Sequence, residues 1–235
     1  SGSWVTTTVD SSEVISGATS LALDTAGSVY ICYSDVANSL IRYTTNVSGS
    51  WVITTVNSDE VAYGFPSLAL DTTGHAHIGY FEEANGELKY ATNTSGVWIT
   101  GVVDNSRGVG EHNSLALDAA GHAHISYVGG WGHLDNTDLI YATNATGSWF
   151  TTTVDISGRA WGYTSIALDA AGHAHISYYD GIRDELKYAT NASGAWVTTT
   201  VDSEGSVGFF NSIAIDATGH AHIAYIPKKG RVTGL

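Results

Sequence analysis

The hydrophobic and polar residues of this chain follow one short pattern that returns about every 47 residues. Within residues 66–104, four runs of β-branched, aromatic and aliphatic residues cover 67–71, 75–81, 87–93 and 98–103, separated by clusters of Gly, Asn, Asp and Ser. No window has the apolar spacing of three and four residues that marks a helix. The pattern predicts an all-β protein, and we name the four predicted strands of each repeat A, B, C and D.

The repeat occurs five times along the chain. Its markers are a Trp that starts strand D, an Asp that ends strand A and a Tyr in strand B, each recurring at steps of 47, 47, 51 and 47 residues: Trp4, Trp51, Trp98, Trp149 and Trp196; Asp24, Asp71, Asp118, Asp169 and Asp216; Tyr33, Tyr80, Tyr127, Tyr178 and Tyr225. The longer step reflects a four-residue insertion in the third copy. Repeats of this length indicate an array, a solenoid or a propeller.

Strands A and B are predicted to pair through a D-x-x-G turn, in which the Asp bonds the backbone and the Gly accepts a positive φ. This register places Ala69 opposite His77 and Ser67 opposite Gly79. One face of the hairpin is then aliphatic and the other is mixed, so each face needs a neighbouring sheet. Four-stranded sheets of this size are typical of propeller blades.

We therefore predict one domain, residues 1–235, folded as a five-bladed β-propeller with four antiparallel strands per blade. The blades are expected at 18–56, 65–103, 112–154, 163–201, and 210–235 completed by 1–10. The fifth copy has a degenerate strand C at 231–235, so the leading strand at Trp4 is expected to dock beside it and interlock the termini. This closure would hide edge strands. In a fragment of a longer array, the fifth blade would be open instead.

Composition restricts the partners of the protein. Asp and Glu outnumber Lys and Arg by 23 to 9, giving a formal net charge of -14, which disfavours nucleic acid because phosphate recognition needs a basic surface. No apolar run is long enough for membrane insertion. The single Cys32 is expected to be a small buried residue. The acidic, Thr-rich chain begins without Met, and we expect an extracellular or cell-surface module that is a monomer.

Four copies contain G-H-A-H at the start of strand B. Two His at i and i+2 on a strand point to one side and could ligate a metal ion. The favoured interpretation is structural: the turn Asp accepts the imidazole N–H, and the second His fills space over a small Ala. Acid–base chemistry is a third possibility, and no cofactor is expected. The residues concerned are His75, His77, His122, His124, His173, His175, His220 and His222.

The A-to-B and C-to-D turns are nearly constant among the copies, whereas the D-to-A and B-to-C loops, expected on the opposite face, vary. Binding loops can diverge on a rigid scaffold, so the varied face is the predicted site. Aromatic side chains there could stack on sugars or form a contact surface, or they could cap the core between blades. The candidate ligand-binding residues are Tyr63, Phe65, His112, Trp131, His133, Trp161, Tyr163, Phe209 and Phe210.

Catalysis is not expected from this sequence. Glycosidases require carboxylates grouped at one centre, whereas the A strands repeat Ser, aliphatic, Ala, aliphatic, Asp almost unchanged. A symmetric scaffold favours repeated binding sites. The predicted function is a non-catalytic, multivalent binding module, with carbohydrate on a glycan or glycoprotein surface as the expected ligand. A protein-interaction scaffold and a glycosidase-like hydrolase with a site at the central channel are the alternatives.

The run L-A-L-D-A-A-G-H-A-H-I-S-Y at residues 115–127 resembles the hairpin of NHL-type propeller repeats. Five copies at a 47-residue step also resemble the tachylectin-type five-bladed lectins. In its period and its D-x-x-G hairpin, the resemblance spans the whole chain. It implies a five-bladed propeller and, from the lectin family, binding of amino sugars in pockets between blades. The resemblance carries over no individual sugar-contacting residue.

Overall fold

The computed structural model describes residues 3–11, 15–57, 62–106, 108–130, 137–156 and 160–227, with the backbone alone for 15–18, 62–63 and 161. The described residues form strands and turns without any helix, which confirms the all-β prediction. Among them no helical segment is long and apolar enough to span a membrane. The strands build five antiparallel sheets, four with four strands and one with two.

The strands of each sheet follow one another in chain order, so each sheet is a meander. The first sheet contains β1 (Ile15–Leu23), β2 (Val29–Asp35), β3 (Leu40–Thr45) and β4 (Val52–Thr55). The second contains β5 (Ala62–Leu70), β6 (Ala76–Glu82), β7 (Glu87–Thr92) and β8 (Ile99–Asp104). The third contains β9 (Ser114–Leu117), β10 (Ala123–Val128), β11 (Leu139–Thr143) and β12 (Phe150–Asp155). The fourth contains β13 (Ala160–Leu168), β14 (Ala174–Asp180), β15 (Glu185–Thr190) and β16 (Val197–Asp202), and the fifth β17 (Phe209–Ile215) and β18 (Ala221–Ile226).

The first hairpin of each sheet has the predicted register. In the second sheet Ala69 lies opposite His77, and Ser67 lies opposite Gly79. The turn closes by a bond from the Gly74 amide to the Asp71 carbonyl at 3.1 Å, and Gly74 has a φ of 85°. A side chain is strained in this left-handed region, so the turn requires glycine. Strand A begins earlier than predicted because a bulge lengthens β5 at its start.

Successive sheets are joined along their first strands, which we call the inner strands: β1, β5, β9, β13 and β17 contact one another in that order. At each junction, a Ser hydroxyl on one inner strand accepts an amide N–H from the next. The four bonds are Leu68 to Ser20 at 3.0 Å, Leu115 to Ser67 at 2.9 Å, Ile166 to Ser114 at 3.2 Å and Ile213 to Ser165 at 3.2 Å. The repeated Ser therefore links each sheet to its neighbour.

The core lies between adjacent sheets. Three apolar clusters fill the first three junctions. Each contains a third-strand Tyr packed edge-on against the Trp of the following sheet, as in Tyr90 and Trp149, whose ring centroids are 5.2 Å apart. Cys32 is fully buried in the first cluster, and burial raises the pKa of its thiol to about 12. Cys32 is therefore the small buried residue that was predicted.

A second link crosses the same junctions through polar groups. The Tyr178 hydroxyl of the fourth sheet donates to the Asp155 carboxylate of the third at 2.5 Å. Lys187 also donates to Asp155, and both residues are buried. A buried charge is tolerated only when it is paired, so this cluster ties the two sheets together through matched partners.

The leading segment differs from the prediction of a fifth-blade strand. Residues 3–9 form no strand, and Trp4 is 99% exposed. Asp10 nevertheless accepts a hydrogen bond from Tyr33, the Tyr–Asp pairing that Tyr178 and Asp155 make elsewhere. The predicted strand C at 231–235 lies outside the described residues. The described part of the fifth sheet therefore contains two strands, β17 and β18.

The first inner strand, β1, has an apolar face that no described residue covers. Leu21 is 59% exposed, although its equivalent Leu68 is 7% exposed beneath the preceding sheet. Ser212 on β17, which corresponds to the junction serines, is exposed as well. The contact between the fifth and first sheets, and with it the closed ring of five blades, stays a prediction.

Candidate functional site

Four aromatic side chains from successive sheets, on the inner strands or directly before them, form a continuous row, which we name the aromatic arc: Phe65, His112, Tyr163 and Phe210. The rings of Phe65 and His112 are stacked, with centroids 4.3 Å apart and 26° between their planes. His112 lies 5.3 Å from Tyr163, and Tyr163 lies 4.3 Å from Phe210. The sequence assigns these residues to one equivalent position, and the structure brings their rings into contact.

The arc forms because neighbouring inner strands run parallel and in register. Phe65 and His112 make a parallel β-bridge across the junction of the second and third sheets. Equivalent residues on such strands lie side by side, so an aromatic at the same repeat position meets the aromatic of the next copy. The fifth member of this position is Ala18, whose side chain lies outside the described atoms.

Phe210 has two unusual properties for an aromatic residue. Its side chain is 62% exposed, and its backbone has a φ of 48°. A non-glycine residue in the left-handed region costs about 1–2 kcal/mol. Phe209 beside it packs on Tyr179, with ring centroids 4.2 Å apart, and on Tyr163 at 6.0 Å. Exposed aromatic area on strained backbone is characteristic of a binding position.

Where the structure describes the varied loops, two D-to-A loops lie against B-to-C turns, in agreement with the prediction that these loops share one side. The amide of Val109, in the loop before β9, donates to the Gly86 carbonyl in the turn between β6 and β7 at 3.1 Å. The amide of Val207, before β17, donates in the same way to Asp184 between β14 and β15 at 3.1 Å. These contacts hold the D-to-A loops against the B-to-C turns.

Glu111 and His112 supply the polar groups at the second and third sheets. The Oε2 atom of Glu111 is buried and has no hydrogen-bond partner among the described residues. Burial raises the pKa of Glu111, and the nearby charge of Glu83 raises it further. Burial also lowers the pKa of His112 to about 4. His112 is therefore neutral at pH 7, where it acts as an aromatic ring with a polar edge.

Asp184 is the corresponding polar group at the fourth and fifth sheets. Its Oδ1 atom accepts the Ser206 hydroxyl at 3.0 Å and also the Tyr179 hydroxyl. Burial, followed by the Asp184 hydrogen bond, raises the pKa of Tyr179 to about 12. Tyr179 therefore keeps its proton at physiological pH, and the group presents ordered hydroxyls beside aromatic rings.

The other candidate residues of the varied face are less completely described. Tyr63 and Trp161 lie on strands β5 and β13, and their side chains are outside the described atoms. Trp131 and His133 lie outside the described residues altogether. The structure thus unites Phe65, His112, Tyr163, Phe209 and Phe210, and it does not test the other four.

The histidine pairs form a repeated structural network. His75 Nδ1 lies 3.1 Å from Asp71 Oδ2, as predicted. The expectation that His77 fills space over Ala69 was incomplete, because its Nδ1 bonds the Tyr90 hydroxyl while its Nε2 lies 3.6 Å from Asp71. No three His, Cys, Asp or Glu among the described residues are grouped to hold a metal ion. Equivalent networks involve His122, His124, His173 and His175, whereas His220 and His222 contact Asp216 at an exposed position.

Three buried carboxylates that the sequence did not single out have turn-capping partners. Asp35 accepts bonds from Asn38 and Arg42, and Glu82 accepts the amides of Ala84 and Asn85. Asp180 likewise accepts the amide of Ile182 at 3.0 Å. Each lies two residues after the strand B Tyr, and this shared position is the sequence signal by which these carboxylates could have been identified. Their hydrogen-bonding capacity is therefore used to stabilise the B-to-C turns.

Comparison with known proteins identifies the fold. No family model and no curated protein matches the chain. A variant of the Aleuria aurantia lectin AAL in complex with Fucα1-6GlcNAc is similar with a TM-score of 0.59 and 13% identity, over 88% of this chain and 71% of the lectin. The SapL1 lectin in complex with alpha methyl fucoside gives 0.60 and 12%, over 91% and 74%.

An endo-arabinase from Bacteroides thetaiotaomicron has a similar fold as well, with a TM-score of 0.53 and 14% identity, over 88% of this chain and 87% of the enzyme. The two lectins are β-propellers, so the chain has a propeller-like fold. At these identities the likeness concerns the fold, which occurs in both binding proteins and enzymes.

Proposed function

We propose that this protein is a non-catalytic carbohydrate-binding module of the extracellular space or cell surface. The observation that carries the proposal is the aromatic arc, in which four rings from four sheets make one surface on the varied side. Aromatic faces accept the C–H faces of sugars, and Phe210 is exposed for such contact. The propeller lectins that share the fold support this ligand class.

The chemistry around the arc suits a neutral, hydroxylated ligand. Binding sites of this kind combine apolar surface with a few placed polar groups, and here those groups are Glu111, Asp184 and the hydroxyls ordered by Asp184. The net charge of -14 opposes nucleic acid and other polyanions. A rigid monomer with more than one site would gain avidity on a glycoprotein surface.

A glycan array followed by isothermal titration calorimetry tests this proposal. Tyr163 lies at the centre of the arc, between His112 and Phe210. Tyr163→Ala should therefore weaken saccharide binding by about two- to tenfold, since one aromatic contact contributes about 0.5–1.5 kcal/mol beyond its buried area. Phe150→Ala removes a ring that is 58% exposed on β12 and serves as the control. An array without binding, together with capture of a protein partner, would favour the interaction scaffold.

A hydrolase is the second candidate, and the raised pKa of Glu111 is the observation that favours it. Glycoside hydrolysis requires one protonated carboxyl group and one ionised group on opposite sides of the bond. Incubation with arabinan, the substrate class suggested by the endo-arabinase name, should release no reducing sugar from the wild type. Release that Glu111→Gln abolishes would replace the binding proposal with an enzymatic one.

A further inference from the structure

The loops that precede the inner strands are of two kinds. Before β9 and at the start of β17 the chain reads V-G-E-H-N and V-G-F-F-N, residues 109–113 and 207–211, and we name these segments the VG loops. The equivalent segments form the first residues of β5 and β13 and read A-Y-G-F-P and A-W-G-Y-T, residues 62–66 and 160–164. The sequence places this loop at two junctions, so the copies are not identical on the varied side.

The two VG loops have the same local structure. Val109 and Val207 are 2% and 3% exposed, and each amide bonds the turn of the preceding sheet. Gly110 and Gly208 have φ values of 94° and 105°. Two separate parts of the chain thus build one geometry, at the junction of the second and third sheets and at that of the fourth and fifth.

A buried amide completes each VG loop. Asn113 Nδ2 donates to the carbonyl groups of Phe65 and Gly110, at 3.2 and 3.1 Å. Asn211 Nδ2 donates to those of Tyr163 and Gly208, at 3.0 and 2.9 Å. Each Asn therefore fixes its own loop to the arc residue of the preceding sheet. The ring pairs of closest approach in the arc, at 4.3 Å, occur at these two junctions.

The third residue of each VG loop differs in chemistry but not in place. In the first loop it is Glu111, whose buried Oε2 has no partner among the described residues. In the second it is Phe209, which packs on Tyr179, and the carboxylate comes from Asp184 across the junction. Each of the two VG-loop junctions thus places one carboxylate, Glu111 or Asp184, beside a pair of arc rings.

Among the side chains that the structure describes, the alternating junctions do not show this combination. Gly64 and Gly162 stand where the VG loops have Glu111 and Phe209. A Cβ built on Gly162 would lie 3.1 Å from the His112 ring, so the junction of the third and fourth sheets is closed against that ring. The larger ring separation there, 5.3 Å, agrees with a different packing.

We propose that the chain carries two saccharide subsites, one at each VG-loop junction, instead of one per sheet. This inference rests on the proposed function and specifies where it takes place. Each subsite would stack the apolar face of a sugar on the arc pair, Phe65 with His112 or Tyr163 with Phe210. Sugar hydroxyls would donate to Glu111 in the first subsite and bond the Asp184 group in the second. Neutral pyranosides with neighbouring hydroxyls are the ligand class.

Titration calorimetry on the full chain tests the number and place of the subsites. The probes are four neutral pyranose sugars: methyl α-fucoside, methyl α-arabinopyranoside, methyl β-galactoside and N-acetylglucosamine. We expect a stoichiometry near two for the best probe. Glu111→Gln and Phe210→Ala should each remove about one site, and the double variant should lose at least about tenfold in overall affinity. Glu204→Gln and Phe150→Ala, both at exposed positions, should keep both sites.

The possible outcomes separate the two proposals. Saccharide binding with a stoichiometry near five, or binding unchanged in the double variant, would overturn the two-subsite inference and leave the carbohydrate function standing. No binding of any probe, with an empty glycan array, would overturn both. A circular dichroism melt of each variant shows whether a lost site reflects unfolding. Asp184→Asn gives a second variant for the subsite at the fourth and fifth sheets. It removes the charge but keeps the backbone unstrained, because Asn tolerates the φ of 59° at this position.

Discussion

At the scale of single residues, the repeats act as internal controls for one another. Gly79 and Ser177 occupy the same position on the second strands of their sheets. The Ser177 hydroxyl donates to Asn211 Oδ1 at 2.6 Å, whereas Asn113 Oδ1, beside Gly79, is buried without a partner among the described residues. One junction therefore has a hydrogen bond that its counterpart lacks.

Gly79→Ser should stabilise the protein by about 1 kcal/mol, because it supplies the missing donor. A Cβ at Gly79 would lie 2.5 Å from Asn113 Oδ1, so the amide must rotate slightly, as Asn211 shows is possible. Gly79→Ala adds the same Cβ without a donor and is the control. Urea unfolding measures both, and a Ser variant no more stable than the Ala variant would contradict the expectation.

Phe210 offers a test that separates stability from binding. Phe210→Gly and Phe210→Ala both remove the exposed ring, but only Gly accepts a φ of 48° without strain. The Gly variant should be more stable than the Ala variant by about 1 kcal/mol, while both lose the second subsite. Equal unfolding free energies would show that the backbone relaxes out of the left-handed region.

For the elements, the main feature is a chain of side-chain contacts in the first hairpin of each sheet, which connects the D-x-x-G turn to the packing against the next sheet. In the second and third sheets the turn Asp, the buried His and the strand C Tyr are connected, and that Tyr packs on the next sheet's Trp. The first sheet makes the connection without His: the Tyr30 hydroxyl donates to Asp24 at 3.0 Å.

Stability should fall on acidification from pH 7.5 to 5.5. Burial lowers the pKa of His77 and of His124 in the folded state, so the unfolded chain binds more protons once the pH falls through the ordinary His value of about 6.5. The charges that face His77 are those of Asp71 and His75. Urea midpoints at the two pH values measure the effect.

The first sheet supplies a control for this prediction. The pair His75→Ser and His77→Tyr copies Ser28 and Tyr30, and the same exchange at His122 and His124 removes the second network. The combined variant should lose part of the difference between pH 7.5 and 5.5, and His112, whose pKa burial lowers to about 4, should maintain the remainder. An unchanged difference would assign the acid sensitivity to other groups. Below pH 3.8 both proteins should weaken, because hydrogen bonds to Asp71 hold the pKa of that carboxyl below its ordinary value despite partial burial.

At the scale of the whole molecule, the repeat predicts a contact that the described residues do not make. Leu21 is exposed, and its equivalents on the next four inner strands are buried at 6–7% exposure: Leu68, Leu115, Ile166 and Ile213. If the fifth sheet covers Leu21 in solution, Leu21→Ala should cost roughly 2–4 kcal/mol, the same as Leu68→Ala. A change within about 0.5 kcal/mol would show an exposed Leu21 and an open ring. A solution mass of one chain checks that closure is intramolecular.

The sequence alone determined the elements and their local pairing. The five copies, the four-strand unit, the D-x-x-G turn and the register of Ala69 with His77 all depend on residues close in the chain, where side-chain period and turn chemistry act directly. The same period assigned Phe65, His112, Tyr163 and Phe210 to one position. The burial of Cys32 follows from equivalent reasoning.

Packing between the sheets decides which of these positions meet. The contact of rings from separate sheets, the bond from His77 to Tyr90 and the burial of Glu111 depend on how neighbouring sheets pack, which no local pattern records. The two VG loops differ from the other copies by a few residues, and the packing of Val109 and Val207 beneath the preceding turns makes that difference structural. Periodicity fixes where side chains lie on a strand, whereas the distances between strands from distant copies arise from packing across the junctions.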